Sequence, residues 1–332
     1  MIIEERAYAR AGLLGNPSDG YHGKTISMSI KNFGAHVLLF ESPELRIEPN
    51  NHDLNLYRNV YALIEQIHQH GYYGGDRLIK AAIKKFVQYC QGNQITLDNK
   101  NFTIRYHTNI PRQVGLAGSS AIITATMRAL LKFYDVKIPQ EILPTLILDA
   151  EVEELGINAG LQDRVIQVYE GCVFMDFEKK YLQKHQHGRY VRLNPEAIIR
   201  NLYVAYKTDL SKVSGAVLND IKVRYDRGDK DVVDNLDKIA ALAEQGRELV
   251  ENGDLSELNK LINRNFDLRR KIMNISESNL ELVATARKCG ASAKFSGSGG
   301  AIIGLYKDRE MLTHLIVKMK KINARVIKPF IL

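Results

Sequence analysis

Short alternating runs of apolar and polar residues predict strands early in the chain. "KTISMSI" (24–30), "AHVLLF" (35–40) and "ELRIEP" (44–49) each read as one, and Ser42-Pro43 supplies a turn between the last two. Helical spacing then appears over 54–70 and 75–91, on either side of "GYYGG" (71–75). "FTIRYHT" (102–108) alternates like a strand. A Gly/Ser loop follows, then a helix over Ser119–Tyr134 and another from Pro139-Gln140 to Leu155. "GCVFMDF" (171–177) reads as a strand, and residues 178–194 as a polar, basic surface connection. "LYVAYK" (202–207) has the look of a buried strand. Several helices fill Ser211 to Cys289. "ASAKFSGSGGAIIGLY" (291–306) reads as strand, glycine turn and strand, and the chain closes with a helix and the strand "ARVIKPFIL".

Strands and helices in mixed order, without steady alternation, predict an α+β fold rather than a doubly wound parallel sheet. The polar connection puts a domain boundary near 180–200, dividing the chain into 1–195 and 196–332. "HQHG" occurs twice, at 68–71 and 185–188, but four residues do not make a structural repeat.

Composition narrows the choice of partner. The 332 residues are 45% hydrophobic and 25% charged, enough for a full core without a disulfide or metal staple. The net charge of +8 favours anionic partners, including nucleotides, sugar acids, nucleic acid and lipid headgroups. No run of five Lys/Arg occurs, so most of the excess reads as solvated faces. Cys90, Cys172 and Cys289 are far apart and form no CxxC pair, which suits buried thiols in a reducing compartment. The first residues lack an apolar signal core, and no apolar stretch is long enough to span a bilayer. A cytoplasmic protein with no membrane partner is expected. The sequence assigns no oligomeric state.

The chemistry gathers at "PRQVGLAGSSA", Pro111 to Ala121. A Gly/Ser loop that opens a helix presents unpaired N–H groups and a partial positive charge to an anion. Gly115 and Gly118 let the backbone fold closely around a phosphate. Ser119 also has the look of a plain helix N-cap, and the glycines of a plain turn. Ala121 stands where the common phosphate loop, GxxxxGK[ST], would need lysine, and no GxGxxG fingerprint is present. Positive charge must therefore come from elsewhere.

Three further stretches supply candidates: "RAYARAGLLGNPSDGY" (6–21), "AEVEELGINAGLQDRV" (150–165) and "KFSGSGGAIIG" (294–304). Spaced in this order with the loop, they resemble the GHMP kinases, and the resemblance covers nearly the whole chain. "GYYGG", "LGINAGLQDRV", "NFDLRR" and "KFSGSGGA" look most like the sugar-acid 1-kinases of that superfamily, the glucuronokinases. Galactokinases usually open with a GEHTDY-type element; here Asn16 and Pro17 stand where its Glu-His would be. The resemblance implies a ribosomal S5 domain 2-like N-terminal domain that binds nucleotide phosphates and a ferredoxin-like C-terminal domain. It also implies transfer of the γ-phosphoryl group of ATP, or another nucleoside triphosphate, to the anomeric hydroxyl of D-glucuronate. Galacturonate, arabinose, fucose or a heptose are alternative acceptors. A nucleic-acid-binding protein is the rival of another class, though no basic patch interleaved with aromatics stands out. A pseudokinase regulator is disfavoured by Arg10 and Asp163.

Residue roles follow from the same resemblance. Pro111, Gly115, Leu116, Ala117, Gly118, Ser119, Ser120 and Ala121 would wrap the nucleotide phosphates. Ser120 and Glu151 would hold Mg²⁺, for which hydroxyl and carboxylate oxygens are suitable ligands. Asp163 would accept or orient the sugar hydroxyl proton, and Arg10 would stabilise the transferring group. Asp19 would bind sugar hydroxyls, with Tyr21, Gly297, Ser298 and Gly299 also at the substrate. The sugar carboxylate calls for an arginine fork, with Arg112, Arg164, Arg269, Arg270 and Lys24 as candidates. Glu153 and Glu154 read as a solvated helix face. Tyr72 and Tyr73 suit a pocket wall or core packing equally. His185 and His187 lack the further ligands that zinc requires.

Overall fold

The computed structural model describes residues 1–48, 75–208 and 216–331. The helix expected over 54–70, Tyr72, Tyr73 and the helical start near Ser211 lie outside the described residues.

The chain begins with a strand that the pattern did not announce. In β1 (Ile2–Leu14), Ala7, Ala9 and Ala11 are buried, and alanine has little strand preference of its own. Pairing along its length with β2 (Lys24–Ser42) holds it extended. The two strands expected at 24–30 and 35–40 are one 19-residue strand, β2. Their apparent interruption is a bulge: Tyr8 faces Gly34, the next residue Ala9 faces Ile30, and Lys31–Phe33 are left over. The C-terminal tail docks there, with Lys31 N donating to Phe330 O at 2.7 Å.

β3 (Arg46–Ile47) and β4 (Asn101–Thr108) extend the sheet beside the second half of β2. β5 (Cys172–Asp176) and β6 (Arg189–Leu193) extend it beside the first half. The stretch 178–194, expected to be a surface connection, is thus ordered as α5 (Lys179–His185) and β6. Its polar side chains face outward, while Leu193 enters the core and Tyr190 packs on Tyr169 and Phe177. The second sheet has the order β10-β7-β9-β8, from β7 (Leu202–Lys207), β8 (Lys294–Phe295), β9 (Ala301–Leu305) and β10 (Ala324–Ile327). All its pairings are antiparallel. We propose the division at residues 195 and 196, between β6 and β7, as the domain boundary.

Helices close both sheets. α1 (Gly75–Gly92) packs on α2 (Gly118–Phe133), which lies against β1 and β2. α3 (Leu143–Val152) starts later than expected because Pro144, which lacks an N–H, fits the first turn of a helix but not its interior. α4 (Gln162–Tyr169) follows the "GINAG" turn. After α6 (Ala216–Asp226), α7 (Lys230–Asn252) and α8 (Leu255–Ile272) pair with each other and lean on β1. α9 (Glu277–Lys288) and α10 (Arg309–Lys320) pack together beside the second sheet. Cys90 and Cys172 are buried as expected, whereas Cys289 is only half-buried.

Candidate active site

The loop from β4 to α2 is shaped by its backbone. Gln113, Gly115 and Ala117 have φ of 56°, 69° and 61°. Left-handed residues at every second position turn neighbouring amides into a concave anion nest. For Ala117 this conformation costs about 1–2 kcal/mol. Three donors hold its carbonyl in place: Gln167 Nε2 at 2.9 Å, Ser120 Oγ at 3.2 Å and Ala121 N at 3.2 Å. Ala117 is the N-cap of α2 and no side chain caps that end, so the first amides of the helix remain available to a ligand.

Both glycine turns dock on the outer edge of β1. Arg10 N donates to Leu116 O at 3.1 Å and Gly12 N to Ser296 O at 2.8 Å. The turns also meet each other: a Cβ on Gly297 would lie 2.1 Å from Gly115 O, so only glycine fits. The Arg10 side chain fills the junction. Its Nε and Nη2 grip the two Asp163 carboxylate oxygens at 2.7 and 2.8 Å. Its Nη1 donates to Gly115 O at 3.0 Å and Ser296 O at 2.5 Å. One buried guanidinium therefore ties together β1, the loop, α4 and the second glycine turn.

These groups open onto a cavity of about 730 Å³, a volume typical of small-molecule sites. Arg10, Asp163, Asp19, Tyr21 and Glu151 line it. So do Pro111, Arg112, Gly115, Leu116, Ala117, Gly118 and Ser119 of the loop, and Arg269, Gly297 and Ser298 from the second half of the chain. Ser120, Ala121 and Gly299 are not in its wall. Ser120 and Ala121 are buried in the helix, and Gly299 lies against Asn279. Arg164 lines the cavity, while Arg270 and Lys24 do not.

Two carboxylates on this wall have unusual surroundings. Burial pushes Asp19 up to about 6, helped by the negative charge of Asp163 and opposed by Arg10. Glu151 is fully buried. Its Oε1 accepts from Ser119 Oγ at 2.7 Å, and its Oε2 forms an ion pair with the Arg164 guanidinium. The hydroxyl expected beside Glu151 was that of Ser120, which bonds instead back to Ala117 O. A buried carboxylate next to a hydroxyl is a donor set that fits Mg²⁺, which needs only one or two carboxylates besides phosphate oxygens.

The family models for the GHMP kinases N terminal domain and GHMP kinases C terminal match residues 77–171 and 247–322. Glucuronokinase 1 of Arabidopsis thaliana is 44% identical over 91% of this chain and 84% of its own length. The probable glucuronokinase 2 of the same plant is 46% identical over the same shares. The chain belongs to the GHMP kinases. The crystal structure of Lactococcus lactis galactokinase complexed with galactose superposes with a TM-score of 0.77 at 15% identity, over 99% of this chain and 93% of that one. The two-domain, mixed α+β GHMP kinase fold is therefore established, and the chain is a kinase with an alcohol acceptor. Kinases of this family use ATP.

Other residues of this GHMP kinase line or adjoin the same cavity without standing out in the sequence. Tyr106 from β4 and Leu78 from α1 line the cavity from one side, and Lys222 from α6 from another. Gly160 lies so close to Asp19 that a Cβ there would be 2.1 Å from Asp19 Oδ2. Asn16, found where galactokinases usually carry glutamate, accepts from the buried Lys294 ammonium. Lys294 also donates to Gly12 O at 2.7 Å and Phe295 O at 2.9 Å. Among the described residues no helix is long and apolar enough to cross a membrane.

Proposed function

We propose that this kinase transfers the γ-phosphoryl group of ATP to the anomeric hydroxyl of D-glucuronate, giving glucuronate 1-phosphate and ADP. The observation that carries this reading is the near-full-length identity of 44% to a glucuronokinase. The local chemistry supports it. Phosphoryl transfer asks the protein for alignment and for compensation of charge, and little else. The loop amides of Gly115–Ser119 would cradle the phosphates. Asp163, with both oxygens fixed by Arg10, would receive or orient the proton of the attacking hydroxyl. That oxygen bonds to the γ-phosphorus as the bond to the β–γ bridging oxygen breaks. Arg10 would stabilise the negative charge spread over the transferring group. Asp19 would bind sugar hydroxyls beside Tyr21.

Glu151 and Ser119 would hold Mg²⁺, which supplies positive charge to the phosphate oxygens. Here Ser119 takes the part that the sequence motif suggested for Ser120. The two serines make a direct test. Ser119→Ala should raise the Mg²⁺ concentration for half-maximal rate about tenfold, the effect of losing one charge-assisted contact. Ser120→Ala should leave it unchanged. The reverse pattern in a Mg²⁺ titration would return the role to Ser120.

The function itself is tested by coupled ADP release with glucuronate, galacturonate, arabinose, fucose, galactose and glucose. Turnover should be fastest with glucuronate. Faster turnover with any other sugar in the panel would remove the substrate assignment and leave the kinase.

A further inference from the structure

The cations around the cavity are not equivalent. Arg10 is engaged at both ends by Asp163 and two carbonyls. Arg164 is paired with Glu151 and donates to Gly160 O at 2.7 Å. Arg112 and Lys222 lie exposed at the rim, where water screens them, and Lys222 pairs with Asp226 at 3.3 Å.

Arg269 differs from all of these. It is 1% exposed, yet it lines the cavity. Among the described residues no carboxylate forms an ion pair with it. Nε donates to Met273 Sδ at 3.0 Å and Nη1 to Gly297 O at 2.8 Å, and among the described residues the Nη2 amino group has no hydrogen-bond acceptor. Its guanidinium also rests over the Phe295 ring, 5.2 Å from the centroid. Burial pulls Arg269 down to about 10, against the opposing charge of Asp19. A buried cation without a counter-ion is strongly unfavourable, and proteins retain one where a ligand completes it.

Its position relative to the chemistry is also defined. Arg10, which holds Asp163, is anchored on Ser296 O, and Arg269 on the next carbonyl, Gly297 O. The two guanidinium groups are thus set by consecutive peptides of one turn. In a pyranose uronic acid, the anomeric carbon and the carbon bearing the carboxylate are both bonded to the ring oxygen. The reacting hydroxyl and the carboxylate therefore sit on the two corners that flank the ring oxygen, and their proposed anchors on the protein are likewise close together.

We propose that the Arg269 guanidinium receives the carboxylate of the sugar acid and is the residue that separates sugar acids from neutral sugars. The proposal rests on the sugar-acid reading above and names the group that enforces it. The planar guanidinium of arginine suits a carboxylate, and Nη2, which has no acceptor among the described residues, would be the donor that meets it.

The test compares D-glucuronate with its neutral isostere D-glucuronamide, in the wild type and in Arg269→Gln and Arg269→Met. The wild type should prefer the acid by about 100-fold in kcat/KM, the range for a buried charge-assisted contact. Both variants should bring that preference to within about threefold of unity, chiefly by raising KM for the acid. The ratio is taken on one preparation, so it does not depend on the fraction of folded enzyme. Arg269→Met should also melt no lower than the wild type without ligand, since the substitution removes an uncompensated charge next to Met273 and Phe295. An acid preference that survives in both variants would overturn the proposal, as would an equal loss on both substrates. A wild type that turns over neither compound would overturn the sugar-acid reading and this inference with it.

Discussion

Asp163→Asn should lower kcat by about 1000-fold, within the range for losing a positioned acid–base group, while nucleotide affinity stays within about twofold of wild type. The substitution changes little in shape but reverses one hydrogen-bonding partner. Arg10 offers only N–H groups to the carboxylate, at 2.7 and 2.8 Å. An amide NH₂ in place of one oxygen would set a donor against a donor, and the guanidinium would lose half its grip. The variant therefore lacks both the proton acceptor and its alignment. In the proposed reading nucleotide binding rests on the loop amides of 113–119, to which Asp163 makes no hydrogen bond among the described residues. Single-turnover rates together with calorimetric titration of a non-hydrolysable nucleotide separate the two quantities. Near-normal turnover would remove Asp163 from the reacting centre.

Arg10→Lys should be nearly as damaging although the charge is retained. We expect kcat to fall about 100- to 1000-fold and the melting temperature to drop by several degrees, about 2–4 °C per kcal/mol for a chain of this size. Lysine presents a single ammonium at the end of a flexible stem, and it cannot hold both Asp163 oxygens and two carbonyls at once. Unlike Asp163→Asn, this change should also weaken nucleotide binding, because Gly115 O loses the donor that fixes the loop. Thermal unfolding and nucleotide titration on the same preparation check this. A variant that melts and binds like the wild type would show that arginine's geometry is not what the junction requires.

The sequence disclosed most where chemistry is local. The glycines and serines of the loop before α2 suggest an anion site, Asp163 and Arg10 sit in short stretches singled out by the family resemblance, and the loop, Asp163 and Arg10 line one cavity. The choice between Ser119 and Ser120 was not legible, because successive helical residues point about 100° apart and the motif does not give the phase. Only the packing of α2 against Gln167 and Glu151 sets which hydroxyl faces the cavity. Lys222 and Tyr106 come from elements with no motif, brought in by the fold alone. β1 escaped notice because its inward positions are alanines, which pack well beneath α2 without signalling a strand. The polar run at 178–194 disguised β6, since a sheet with one wet face needs few apolar residues.

The docking of the second glycine turn on β1 has a consequence for how the molecule is made. Gly12 waits for a partner 284 positions further along the chain, at Ser296. A ribosome that has released only the first half has produced a strand whose margin is met at Arg10 by the Leu116 carbonyl but is still open at Gly12, where a neighbouring nascent chain could pair. The same late-arriving segment covers that position and accepts a hydrogen bond from Arg10 through Ser296 O. Completion of the proposed catalytic junction and protection from sticking together therefore begin at the same moment in the life of each copy.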